Sequence, residues 1–188
     1  MATTALFVEL IVIGIGAAAW LGLTVIGIFG YSWVTFGEFS SIAALAPLLG
    51  VVYVLGIIVD RVADQAFDPL AKRLVLRWFS DKDQYYADFN LVYIESPTRT
   101  LVEYTKSRIR ICRAWVINCI ASAVALNVFV WSQLPDSFPR GKVAVICSIG
   151  LLTVSVGAFR AWYQLSDDGY RRLAQQAQLL RKGTSERG

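Results

Sequence analysis

Histidine is absent from the 188 residues, and cysteine occurs only three times. The first absence removes imidazole acid–base chemistry and His-ligated zinc or haem, and the second leaves too few thiolates for a multi-cysteine cluster. Charge is scarce as well. Asp, Glu, Lys and Arg make up 17% of the chain and hydrophobic residues 56%, whereas an ordinary soluble domain is about 25% charged. The missing charge is missing from particular places: residues 10–29, 42–59, 114–131 and 143–159 contain no acid and no base. Each run approaches the roughly 20 residues that a helix needs to cross about 30 Å of hydrocarbon. The expectation is an all-α integral membrane protein with four transmembrane helices, over about 5–29, 41–63, 113–132 and 142–160, carrying a cytosolic helical layer formed by helix extensions. With no ionisable group inside any run, proton-coupled transport and voltage sensing lack the residue they require.

The charges that are present set an orientation. Of 18 Lys and Arg residues, ten lie in 60–113 and six in 160–188, with two in 132–142 and none before Arg61. Positive flanks stay on the cytoplasmic side, so the central segment and the C-terminus are read as cytoplasmic, and four crossings return the N-terminus to the same side of the cell membrane. The outer segments, 30–41 and 132–142, are too short for a folded extracellular domain. Ala17-Ala18-Ala19 has the look of a signal-peptide cleavage site, yet no base precedes the run, Glu9 opens it and apolar sequence continues to Phe29, so a retained helix is expected. Cys112, Cys119 and Cys147 all fall in the apolar runs or at their cytoplasmic boundary, so no disulfide is expected. The net charge of +4 follows from this topology, and no basic groove points to nucleic acid.

Along the first helix Gly14, Ala18 and Gly22 recur every four residues as a smooth packing ridge, towards another helix of the chain or towards a second subunit. Ser40 or Ser41 is a candidate cap for the second helix, which carries Pro47 and Gly50. Residues 64–112 form a cytosolic helical insertion. Within it Asp68-Pro69 reads as a break and a new start. Residues 69–79 then place Leu70, Leu74 and Trp78 on one face and Lys72, Arg73 and Arg77 on another, fitting either an anionic membrane surface or the other cytosolic segments. In 80–96, Tyr86, Phe89 and Tyr93 share a helical face suited to docking. Ser96-Pro97 opens the third helix, a rod of about 36 residues without Gly or Pro until Pro135. The fourth continues over 161–182 with Tyr170, Leu173, Ala177 and Leu180 as a seam, so that the two extensions pair as a stalk. Residues 183–188 read as a disordered tail.

One row of residues carries a chemical signal. Gly56-x-x-x-Asp60-x-x-x-Asp64, followed by Asp68, aligns three carboxylates on one helix face, a candidate ligand set for Mg²⁺ or Mn²⁺. It resembles the second half of the signature of the CDP-alcohol phosphatidyltransferases, which implies a metal-dependent lipid transferase using these acids. That family's upstream half, Asp-x-x-Asp-Gly-x-x-Ala-Arg, has no counterpart here, where 43–47 reads Ala-Ala-Leu-Ala-Pro. The competing reading needs no metal: Arg108, Arg110 and Arg113 lie at the same depth on the third helix, and with Glu9 and Arg160 they complete a salt-bridge network around Asp60 and Asp64. The network is the expectation, with no enzyme activity, cofactor or bound metal.

Among polar residues within the runs, Asn118 and Ser122 stand one turn apart and fit interhelical bonding better than pore lining. The chain is therefore read as a membrane-embedded sensor or anchoring subunit, a homo-oligomer that docks a cytosolic protein partner. The alternative is an oligomeric pore-forming effector or ion channel. The four-pass plan resembles small membrane components of bacterial defence and signalling operons.

Overall fold

The computed structural model describes residues 2–32, 42–95 and 99–185. Among these residues there are five helices and no strand: α1 (Ala2–Phe29), α2 (Ile42–Trp78), α3 (Lys82–Glu95), α4 (Arg99–Gln133) and α5 (Arg140–Ser185). Helices α1, α2, α4 and α5 are long and apolar enough to cross a membrane. Their 28, 37, 35 and 46 residues correspond to about 42, 56, 53 and 69 Å at 1.5 Å per residue. The last three exceed what an apolar span requires, and the surplus is the charged sequence. The candidate caps Ser40, Ser41 and Ser96 lie outside the described residues.

Helix directions follow from the contacts. Gly14 faces Val52 and Gly56 faces Leu10, so α1 and α2 are antiparallel. Ile13 meets Asn118 and Gly27 meets Ser132, which makes α1 and α4 parallel. Val116 meets Ser155 and Asn127 meets Ser148, which makes α4 and α5 antiparallel. The four apolar segments therefore lie side by side, and the charged ends of α2, α4 and α5 emerge together with α3 at one polar end. Many apolar side chains face outwards along the apolar segments: Val54, Ile58, Ile146, Ile149 and Val154 are each more than half exposed. A water-soluble bundle rarely leaves such a surface bare, and these four helices are compatible with a multi-pass membrane protein.

Two packed centres hold the bundle. Ile13, Ala17, Val59, Ala63 and Ala114 form the first, where small side chains bring α1, α2 and α4 close. Phe67, Leu74, Val116 and Trp162 form the second, towards the polar end.

Three expectations are corrected. The break at Asp68-Pro69 does not occur, because α2 runs unbroken through both Pro47 and Pro69. Pro69 cannot donate to the carbonyl of Gln65, a loss of about 3 kcal/mol in a helix interior. Phe67 and Leu74, 6% and 5% exposed, lie on either side of it in one core, and burying two such side chains stabilises by about 1.5–3 kcal/mol each. Burial outweighs the lost bond. The start of the expected disordered tail is helical, since α5 continues to Ser185; 186–188 are outside the described residues. Finally, of the face expected to dock α3, Phe89 packs inward beside Tyr85, Asp88 and Val92, Tyr86 is 60% exposed, and the side chain of Tyr93 lies outside the described residues. The N-terminus of α3 has a cap that the sequence reading missed: the Gln84 N–H donates to Asp81 Oδ1 at 2.6 Å, and Gln84 Oε1 accepts from the Ser80 N–H at 2.9 Å.

Candidate functional site: an ion-pair cluster and the cavity beside it

The site begins with two glycines. A Cβ on Gly56 would stand 1.9 Å from the Leu10 carbonyl oxygen, and one on Gly14 would stand 1.8 Å from that of Val52. Only glycine permits this backbone approach. It presses α1 onto α2 and brings Glu9 level with Asp60. The ridge expected through Gly14, Ala18 and Gly22 does not continue as drawn. A Cβ on Gly22 would meet nothing within 4 Å, whereas one on Gly16 would stand 2.5 Å from Asn118 Nδ2. Ala17 rather than Ala18 is fully buried.

Five charges from three helices meet at this level. Arg110 on α4 bridges Glu9 on α1 at 3.3 Å and Asp60 on α2 at 3.6 Å. Arg113, one turn further, bridges Asp60 at 3.2 Å and Asp64 at 2.5 Å. The side chains of Glu9, Asp60 and Arg113 are only 11%, 16% and 17% exposed, so these pairs are largely desolvated. Removing one partner would strand a buried charge on the others. Asp64, 54% exposed, is the outer member. Three carboxylates face two guanidinium groups, and Arg113 Nε is buried without a hydrogen-bond partner. Asp68 pairs with Lys72 one turn along its own helix. Arg108 and Arg160 are exposed and lie outside this set of bridges. Each of the three acids considered as metal ligands is thus engaged by a cation. Among the described residues no group of three or more Cys, Asp or Glu side chains is arranged to hold a metal ion.

Deeper in the apolar half, Asn118 is 1% exposed. Its amide donates to the Ile13 carbonyl at 2.9 Å and its Oδ1 accepts from Trp20 Nε1 at 3.2 Å. Both bonds tie α4 to α1. Ser122, one turn on, is half-buried. Asn127 donates to Ser148 Oγ at 2.8 Å, and the Ser155 hydroxyl donates to the Val116 carbonyl at 3.4 Å, joining α4 to α5. Asn118, Asn127 and Ser155 are thus spent between helices.

The residues read as a membrane-surface helix are placed differently. Leu74 is buried in the second core with Leu70 against it, and Trp78 Nε1 donates to Asp167 of α5 at 2.8 Å. Arg77 reaches Asp167 at 3.7 Å and the Tyr163 hydroxyl at 3.4 Å. The apolar face is therefore packed on α4 and α5, the second of the two alternatives. Lys72 and Arg73 remain on the exposed face.

Sequence reading did not find the cavity that opens next to the cluster. A half-open cavity of about 450 Å³ lies between the polar ends of α2, α4 and α5 and helix α3, and Asp64 and Arg113 belong to its wall. Two ring pairs build it: Phe67 with Trp162, centroids 4.7 Å apart, and Tyr85 with Tyr170, 5.7 Å apart, both edge to face. Phe89 and Lys106 add a cation–π contact at 4.6 Å. On α3, the buried Asp88 accepts a hydrogen bond from Arg181 near the end of α5, which holds α3 in place. Burial, with Tyr170 and Tyr86 close by, pushes the Tyr85 hydroxyl up from 10.0 to about 12. The signal for this cavity was present as aromatic residues on three separate segments, but their convergence depends on how the helices rotate.

No known protein family, curated protein or solved structure matches the chain.

Proposed function

We propose that the chain is a membrane-embedded sensor or anchoring subunit with four membrane-spanning helices, both termini and the polar end on the cytoplasmic side, that self-associates and docks a cytosolic protein partner. The observation that carries this reading is the shared wall: Asp64 and Arg113 line the cavity and belong to the bridges that tie α1, α2 and α4. A ligand that contacts either side chain competes with the Asp64–Arg113 bridge. It therefore biases how α2 sits against α4, and long helices carry that bias across the bilayer. The orientation rests on the concentration of bases at the polar end.

The docking part is supported by apolar side chains exposed at that end, away from the apolar belt: Leu76, Tyr86 and Leu179 are 56%, 60% and 69% exposed. Self-association is supported by the outer face of α5, where Gly150 and Gly157 meet nothing within 4 Å and leave room for a close helix. The pore alternative is disfavoured because Asn118, Asn127 and Ser155 already bond between helices, leaving few polar groups to wet a lumen.

The test is reconstitution of the full chain into phosphatidylethanolamine–phosphatidylglycerol liposomes, with amine cross-linking and potassium flux measured on the same preparation. The sensor reading expects cross-linked oligomers and flux no greater than in empty liposomes. A sustained conductance that scales with protein would transfer the assignment to the pore, and a chain that stays monomeric at all densities would remove self-association.

A further inference from the structure

We propose that the cavity binds a small organic anion carrying a flat ring, the ring received against Tyr85, Phe89 and Tyr170 above the buried Phe67–Trp162 pair and the anionic group held by Lys106 and Arg172. This assignment rests on the sensor reading and names its ligand.

The volume, about 450 Å³, lies within the range of about 300–1,000 Å³ that small-molecule sites occupy. Its walls are mainly apolar and unusually aromatic, with five rings from α2, α3 and α5. Phe67 and Trp162 are nearly buried and form the floor, so the half-buried rings of Tyr85, Phe89 and Tyr170 are the ones that meet an occupant. Such surfaces prefer another planar π-system in offset or edge contact.

Charge supplies the second half of the argument. Both acids of the wall are already engaged, Asp64 by Arg113 and Asp68 by Lys72. Lys106 rests on the ring of Phe89, and Arg172 brings a further cation to the same wall. Arg113 adds a buried Nε with no hydrogen-bond partner. The wall carries three cations, Lys106, Arg113 and Arg172, against two acids, a surplus of one positive charge beside apolar rings that favours an entering anion. A neutral ring would leave the surplus positive charge of the wall unmatched, and inorganic phosphate would leave the rings without a partner. A group combining both features satisfies the wall.

The test titrates the full chain in nanodiscs by calorimetry with 1-naphthyl phosphate as probe. Inorganic phosphate, 1-naphthol, cyclohexylmethyl phosphate and dihexanoyl phosphatidic acid serve as comparisons. Saturable binding of the naphthyl ester is expected, at least about tenfold tighter than any comparison, and weakened about tenfold by Arg172→Gln and by Tyr85→Leu. Arg172 is exposed, so Arg172→Gln stays informative even if Tyr85→Leu fails to fold. Absence of naphthyl phosphate binding would overturn the assignment. So would equal binding of the cyclohexyl ester or of naphthol, indifference to Arg172→Gln, or displacement by phosphatidic acid at lower concentration, which would mark a lipid site. Binding that leaves the cross-linked population unchanged would sink the sensor reading and keep the ligand, whereas no binding by a chain that passes the flux and cross-linking test would sink the ligand alone.

Discussion

At the scale of single residues the ion-pair cluster ranks its members by burial. Asp60 touches both Arg110 and Arg113 at 16% exposure, while the half-exposed Asp64 touches only Arg113. Exposed pairs contribute about 0.2–1 kcal/mol, and breaking a buried one costs about 3–5 kcal/mol. Asp60→Asn is therefore expected to lower the unfolding midpoint in detergent well below that of Asp64→Asn, and equal shifts for the two variants would refute this ranking. Asn118→Leu should cost about 0.6–2 kcal/mol, because it removes both bonds to α1. Tyr85 yields a pH dependence. Its folded value is raised, to about 12 from 10.0, so the folded chain holds the proton more tightly than the unfolded one. The resulting stabilisation is complete below pH 10 and is lost as pH rises towards 12. Tyrosinate absorbance should therefore report α3 loosening within that window, and the Tyr85→Phe variant should lose this component of the alkaline transition.

At the scale of helices, position relative to a neighbour decides what a glycine does. Gly14 and Gly22 lie two turns apart on α1 and look alike in sequence, but only Gly14 is pressed against another backbone. Gly14→Ala should force α1 from α2, separate Glu9 from Arg110 and destabilise strongly. Gly22→Ala should be neutral or stabilising by up to about 0.5–1 kcal/mol, through helix propensity alone. Thermal unfolding of both variants checks this contrast, and comparable losses would show that the α1–α2 approach is not as close as the backbone distances require. The same reasoning explains Pro69: a break signal read locally is overridden because Phe67 and Leu74 are buried in one core on either side of it.

At the scale of the whole molecule, the apolar halves lie side by side and the charged ends project together, an arrangement that the proposed topology sets in a bilayer. In a cysteine-free background, a cysteine at Ser137 in the turn between α4 and α5 should react with a membrane-impermeant thiol reagent on intact cells. One at the exposed Ser80, after α2, should react only once the cells are lysed. The opposite pattern would invert the proposed orientation and place the cavity outside the cell.

Four apolar helices, the surplus length of α4 and α5 and the acids on α2 at the depth of the arginines on α4 could all be read directly. Each is a matter of local composition and of rise per residue, and neither depends on a neighbour. The tertiary structure decided which acid meets which base. Glu9 reaches Arg110 because Gly56 lets α1 sink onto α2, a contact between residues about a hundred positions apart that no periodicity encodes. It also decided that the face of 69–79 is packed inward and that rings from three segments line one half-open cavity. Helix rotation is set by where small side chains allow close approach, and that is a property of pairs of surfaces rather than of either sequence segment alone.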